Sequence, residues 1–288
     1  MKIGAKVVEH SRLSGTGYLS DLITLEVVAP KFLDAELEKH RMISSNGSSD
    51  RAIPFKRNTE RATFIPDDVR YNEKGMQGYT SLTLQDSELF NDTIDGIRLY
   101  TIAALSPLDE QVNVHKQTLN RYLLPYAYQT KVMTATRAEW HYFLNLRDSE
   151  QADPAVQALA FCIKSAINNS KAKTLYEGDW HLPYITQEER DSHYIYSLLR
   201  MSVARCARTS YDNHDGTSAT STKDIALFNM LVSSNPQHLS PLDHQGCPIP
   251  DKPWSKGVTH LRKDGRYGSG NFVDYIQFRH YYLQSQGN

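Results

Sequence analysis

Apolar and polar residues alternate along Ile23-Thr24-Leu25-Glu26-Val27-Val28, the two-residue period of a strand, and Pro30 closes it. Over residues 31–41 the period lengthens, with Phe32, Leu33 and Leu37 on one side. That spacing predicts a short helix carrying Glu36, Lys39 and His40 toward its end. Residues 56–108 hold no sustained period and read as loops and short elements, with a turn at Glu73-Lys74-Gly75-Met76. A helical side returns over residues 109–128 through Val112, Leu119, Leu123 and Leu124, until Pro125 kinks or ends it. Residues 132–136 read as a short strand, and residues 138–147 as an amphipathic helix around Trp140, Phe143 and Leu144. Pro154 is well placed to open a further helix to about Ile167. A polar connection then leads to Trp180-His181-Leu182-Pro183-Tyr184. Residues 192–206 are helical in pattern, 213–222 form a Gly/Ser/Thr/Asp loop, and a helix is expected over 222–232. The tail holds Gly265-Arg266-Tyr267-Gly268-Ser269-Gly270 and an aromatic-rich run to Tyr282. No repeat and no clear linker divides the chain, so one domain over residues 1–288 is expected.

The densest candidate chemistry is Lys39-His40-Arg41-Met42-Ile43-Ser44-Ser45-Asn46-Gly47-Ser48-Ser49-Asp50-Arg51. Small residues admit backbone N–H groups, hydroxyls add donors, and Arg supplies a planar fork, so the segment suits an anion such as phosphate. A solvated Ser-rich loop after a helix is the plainer reading of the same composition. Arg121 and Arg147 lie far along the chain. With Arg51 they suit a nucleotide, two for phosphate and one for a base edge. Alone, Arg147 could simply complement the end of its helix.

Composition narrows the field. The formal net charge is -1, so an anionic ligand has to be met locally and not by a global basic field. No apolar run is long enough to span a bilayer, and Met1-Lys2-Ile3-Gly4 does not open a signal peptide. Cys162, Cys206 and Cys247 have no CxxC spacing and leave an odd one over. That points to a soluble protein of a reduced cytoplasm, without a disulfide framework or a metal site. Tyrosine outnumbers phenylalanine 17 to 9, which suits half-buried surfaces such as subunit interfaces and nucleotide pockets.

Together these segments resemble the flavin-dependent thymidylate synthases, whose signature reads Arg-His-Arg, two residues, Ser, one residue, Asn, two residues, Ser, one residue, Arg. Lys39-His40-Arg41, Ser44, Asn46, Ser49 and Arg51 follow it, with Lys39 replacing the first Arg. The run from His40 to Arg51-Ala52-Ile53-Pro54 is similar to the long phage and bacterial branch. Likeness continues through Asn120-Arg121, Pro125, Thr134-Ala135-Thr136, Glu139-Trp140, Leu146-Arg147, Trp180 to Tyr184 and Ser202 to Arg208. Ala207-Arg208-Thr209-Ser210-Tyr211 and His238-Leu239-Ser240-Pro241-Leu242-Asp243-His244 follow the signature here, whereas their counterparts precede it in short members. This looks like a circular permutation within one interwoven domain.

The resemblance implies an α+β fold with a mixed sheet and flanking helices. It implies an enzyme that carries a one-carbon unit from methylenetetrahydrofolate to C5 of dUMP and reduces it with FAD, NADPH being the reductant. Arg147 matches the catalytic Arg beside the pyrimidine. Substrate contacts fall on Glu36, Lys39, Gly47, Ser48, Ser49, Asp50, Arg51, Arg121 and Arg147, with Ser49 a donor and not a nucleophile. Flavin contacts fall on Lys39, His40, Arg41, Asn46, Thr136, Arg137, Tyr142, His238 and Ser240. Gly47, Thr136, Ala138, Tyr142 and Gln151 depart from the short members, and Glu36 replaces their Gln. A carboxylate there can accept from a cytosine amino group, which keeps open C5 methylation or hydroxymethylation of dCMP for phage DNA. A third reading is a non-catalytic nucleotide- or RNA-binding descendant. The family also implies a homotetramer with sites at subunit junctions, working in a bacterial or phage-infected host cytoplasm, with no membrane or nucleic acid required.

Overall fold

A nine-residue strand, β2 (Leu22–Pro30), is the axis of the molecule, and both its faces are covered. Covering on both faces explains why its sequence is nearly continuous in apolar residues. The computed structural model describes residues 2–47, 51, 53–61, 63–75, 78–208, 220–250 and 254–287. Strand β1 (Gly4–Leu13) pairs antiparallel with β2, with a register shift between Val7 and Glu9. Strands β3 (Ser44–Gly47) and β4 (Tyr128–Thr136) extend the sheet on the other side, and β5 (Lys173–Leu175) adds parallel to β1. The order β3-β4-β2-β1-β5 makes the sheet mixed, as the α+β expectation requires.

Helices α1 (Asp34–Leu37), α2 (Phe55–Thr59), α3 (Leu84–Glu110) and α4 (Lys116–Arg121) precede β4. Helices α5 (Arg137–Arg147) and α6 (Pro154–Asn168) follow it. Val156, Leu159, Ala160, Ile163 and Ile167 of α6 recur at helical spacing and are buried against Ile23, Leu25, Val27 and Ala29 of β2. Each Val, Leu or Ile among them contributes about 1.5–3 kcal/mol of burial. Asp153 caps α6, accepting from Ala155 N at 2.9 Å, and Pro154 sits where a missing N–H costs nothing.

The opposite face of the sheet is met by the C-terminal third. Helices α7 (Gln187–Ser192), α8 (Ile195–Ala207), α9 (Ser221–Ser233) and α10 (Phe278–Ser285) enclose a second core around Trp180, Leu199, Phe228, Leu242 and Phe278. Short strands β6 (Gly246–Pro248), β7 (His260–Leu261), β8 (Tyr267–Ser269), β9 (Phe272–Val273) and β10 (Tyr275–Gln277) complete it. Leu22, Phe272 and Tyr275 join this part to the sheet. Among the described residues no helix is long and apolar enough to cross a membrane.

Three expectations are corrected. Residues 84–108, within the stretch read as loops and short elements, belong to the 27-residue α3, which is capped by Thr83 accepting from Asp86 N. None of its residues is fully buried, so no apolar stripe announces it. The helix expected over 109–128 is broken: Asn113 has φ 58°, His115 starts α4 anew, and Pro125 falls in a short turn of 3-10 helix. The helix expected over 31–41 is a 3-10 turn plus the single turn α1, after which His40 N bonds Leu37 O at 3.1 Å and the chain turns into β3.

Candidate functional site

Arg147 is the last residue of α5 and Phe143 lies one turn before it, fully buried. The packed helix therefore aims the arginine at the turn that follows α1. There Arg147 Nε donates to His40 Nε2 at 3.0 Å, Nη1 donates to Glu36 Oε2, and Nη2 reaches the Glu36 carbonyl at 3.5 Å. The pair is half-open: the Arg147 and Glu36 side chains are 18 and 32% exposed. His40 is 8% exposed, its ring set edge-on against Phe143 at 4.8 Å and near Tyr142 at 6.3 Å. Burial, then the neighbouring Arg147 charge, lower its pKa, so the ring is neutral near neutral pH. Glu36, His40 and Arg147 are thus brought together across more than a hundred residues of sequence.

A second cationic group forms on α4. Arg51 Nε donates to Gln117 Oε1 at 2.9 Å, and Gln117 and Arg121 share one helical face at i, i+4. Asn120 Nδ2 donates to Ile53 O at 2.9 Å while its own carbonyl accepts from Asn58 at 3.1 Å, locking α4 to the chain that leaves the signature. Gln117 was missed from sequence; its spacing from Arg121 was the available signal. Ser48, Ser49 and Asp50 lie outside the described residues.

Around β3, Asn46 donates to Cys206 O at 3.0 Å and accepts from Ser240 Oγ at 3.1 Å. Ser44 accepts from Gln277 Nε2 at 3.1 Å. Segments that follow the signature in sequence therefore pack directly on it, as a permuted order requires. Gly47 pairs with Lys131, and a Cβ there would come within 3.0 Å of Lys131 Cγ. Lys131 is 3% exposed and ion-paired with Asp34 at 2.9 Å and Glu38 at 2.8 Å. Lys39, Arg41, Tyr142, His238 and Ser240 are exposed. Lys39 and Arg41 are exposed cations of the signature that make no ion pair among the described residues, a donor set that fits the phosphate of a flavin, whereas the Ser240 hydroxyl is spent on Asn46 and one Asn46 amide N–H on Cys206 O. His40 differs: its Nε2 is turned inward to Arg147.

Thr136 is buried and Arg137, at the start of α5, is turned away from this donor set. Arg137 Nε donates to Asp21 at 3.3 Å and its backbone N to Asp21 O at 2.7 Å. Asp21 is fully buried and also accepts from Arg12 at 2.6 and 2.8 Å. Burial works to raise its carboxyl, but the hydrogen bonds from Arg12 and His10 prevail and hold it at about 2. Arg137 is an anchored residue. Nearby a buried polar row, Ser11, His181, Thr24, Thr134 and His244, crosses the sheet with contacts of 2.7–2.8 Å. Burial lowers His244 to about 3, so the row is neutral and structural. Cys206 is buried, its thiol pushed far up by burial, which fits a structural thiol and not a nucleophile. Arg205 binds Glu189, Asp224 and the Tyr184 carbonyl, where the backbone turns at φ 64°. Among the described residues no His, Cys, Asp and Glu group could hold a metal ion.

The family described as thymidylate synthase complementing protein matches residues 21–169, from β2 through α6, which includes Glu36, His40, Arg51, Arg121 and Arg147. The chain belongs to this family, the flavin-dependent thymidylate synthases. Among solved structures, a UMP/dUMP methylase PolB from Streptomyces cacaoi bound with 5-Br UMP is similar, with 16% identity and a TM-score of 0.49 over 58% of this chain and 89% of that one. The same methylase bound with 5-Br dUMP is 16% identical, with a TM-score of 0.49 over 58% of this chain and 90% of the other. No curated protein sequence matches the chain.

Proposed function

We propose that the protein methylates C5 of dUMP, taking the one-carbon unit from methylenetetrahydrofolate and yielding dTMP. The observation that carries this reading is the guanidinium of Arg147, fixed at Nε by a buried ring and facing with its other edge a carboxylate that is one-third exposed. Set beside a pyrimidine, that charge stabilises negative charge developing on the ring as C5 attacks the one-carbon unit. Arg51, which donates to Gln117, and Arg121, one helical turn after Gln117, would take the phosphate, together with Gly47, Ser48, Ser49 and Asp50 by their positions in the signature. Lys39, Arg41, Asn46 and Ser240 would hold FAD, which supplies the hydride when bound and is restored by NADPH. The Arg147 and Arg51 groups share no hydrogen bond among the described residues, and sites completed between the subunits of a homotetramer would unite them. Leu22 of the sheet packs with Phe272 and Tyr275 of the C-terminal part, which favours one folded unit.

A second reading keeps the fold and changes the base. The Glu36 carboxylate, already on Arg147, can accept from a cytosine amino group but opposes a uracil carbonyl. Purified protein supplied with FAD, NADPH and methylenetetrahydrofolate, and with dUMP or dCMP in parallel, decides between them by nucleotide mass spectrometry. A methyl gain on dUMP alone is expected. Gain on dCMP would make Glu36 the base-selecting residue of a dCMP enzyme, and no product from either would overturn both.

A further inference from the structure

Arginine presents five N–H groups and accepts nothing, so any nitrogen facing its Nε has to be a bare acceptor. His40 Nε2 faces Arg147 Nε at 3.0 Å, which places the proton of the neutral ring on Nδ1. The two partners of Arg147 are unequal. The Glu36 side chain is one-third exposed and can swing into water, whereas the His40 ring is 8% exposed and wedged against Phe143 of the same helix. The His40 backbone is fixed as well, its N bonding Leu37 O at 3.1 Å and its O accepting from Ile43 N at 2.9 Å. His40, at 3.0 Å, is therefore the main fixed contact that sets the plane of the guanidinium relative to α5, the Glu36 backbone carbonyl being longer at 3.5 Å.

We propose that His40 is a positioning residue for the base-facing Arg147, acting as an acceptor at Nε2 that holds the guanidinium edge toward the pyrimidine. The proposal rests on the reading of Arg147 given above. It also separates His40 from the flavin contacts that the family signature implies, because the nitrogen that would reach outward is committed inward. Protonation would place an N–H against an N–H and a cation against a cation, so the arrangement exists only with a neutral ring. The groups that face the ring agree with this. Arg147 from α5 and Lys39 beside it in the chain both favour neutrality, burial does the same, Tyr142 and Phe143 are uncharged there, and Glu36 alone opposes. Nucleotide affinity should accordingly fall on the acid side of the ordinary histidine range and not at its centre.

The test measures dUMP and dCMP affinity by calorimetry between about pH 5 and 8 for the purified protein and two variants. His40→Leu removes the acceptor and should weaken binding about tenfold at neutral pH, leaving only the acid limb of the nucleotide phosphate. His40→Gln offers Oε1 where Nε2 stood and does not titrate; it should recover most of that loss and decline less at acid pH than the wild type, by the phosphate alone. Full affinity in His40→Leu, or an acid decline in His40→Gln equal to that of the wild type, would overturn the proposal. Nitrogen-15 NMR of the wild-type histidines reads the same point without any nucleotide. His40 should show the Nδ1–H tautomer and titrate below the ordinary value, and its pKa should rise in Arg147→Met. An Nε2–H tautomer, or no response to Arg147→Met, would overturn the positioning role even if nucleotide binds. Normal NMR behaviour with no binding of either nucleotide by the wild type would overturn the functional reading instead.

Discussion

Helix α5 carries an arginine at each end, Arg137 in its first turn and Arg147 in its last, about 15 Å apart along the axis. A cation at a helix N-terminus opposes the dipole by about 0.3–1 kcal/mol, and one at the C-terminus gains a similar amount. The molecule treats the two accordingly. Arg137 is 13% exposed and is held by Asp21, a fully buried carboxylate that also binds Arg12 and His10. Arg147 is held instead by the neutral His40 ring and by Glu36, a carboxylate that is one-third exposed. An arginine that the helix already favours can share a carboxylate reachable by water, which a ligand can displace, while one that the helix disfavours is fastened to a buried one.

The largest test of that contrast removes the fastening. Asp21→Ala leaves Arg137 and His10 buried without their anion and should cost about 3–5 kcal/mol in denaturant unfolding. A loss below about 1 kcal/mol would make Arg137 as available as Arg147 and erase the distinction. At the other end, Arg147→Ala should lower kcat/KM about 100- to 1000-fold, the effect of deleting one preorganised group that meets developing charge. Folding stability should stay within about 1 kcal/mol, because the lost pair is half-exposed. A variant that turns over within threefold of wild type would remove Arg147 from the chemistry.

A smaller effect lies in the acid range. Asp21 is held at about 2 against an ordinary 3.8, so its folded-state pKa is depressed. Stability from that shift, on the order of 2 kcal/mol, is fully present above the unfolded value and is lost as pH falls toward the folded one. The stability gap between wild type and Asp21→Asn should therefore shrink between about pH 4 and 2. A gap constant through that window would mean that Asp21 does not carry its charge into the fold.

Much of this frame is legible in the sequence because a residue's period reports its burial. β2, β4, α5, α6 and α9 all follow their apolar spacing to within a few residues. Strand β1 passes unread because half its residues are only partly buried, and β5 because it is three residues long and pairs with a strand about 160 residues away. The 27 residues of α3 hide for the opposite reason: apolar Leu89, Ile97 and Tyr100 face outward, which blurs the buried face that a helix normally shows. At the site, residue types were readable and partners were not. Glu36, His40 and Arg147 each stand out, yet their union depends on where α5 ends after packing on the sheet. Arg137 shows the converse: the family resemblance implies a flavin contact there, while its packing ties it to Asp21, which no local pattern singled out.

The smallest change sharpens the comparison most, because it makes the same chemical edit at the open end. Glu36→Gln replaces a carboxylate by an amide, as Asp21→Asn does at the closed end, but its partner remains reachable by water. Stability should move by no more than about 0.5 kcal/mol, where Asp21→Asn loses several times that. What should change is the margin by which one base is preferred over the other. A carboxylate only accepts and so prefers the cytosine amino group, whereas an amide can also donate to the uracil carbonyl. The ratio of dUMP to dCMP affinity should therefore rise about tenfold in Glu36→Gln, measured by calorimetry on both nucleotides. An unchanged ratio would reduce Glu36 to a plain counter-ion of Arg147, and the open end of α5 would then read the base through the guanidinium alone.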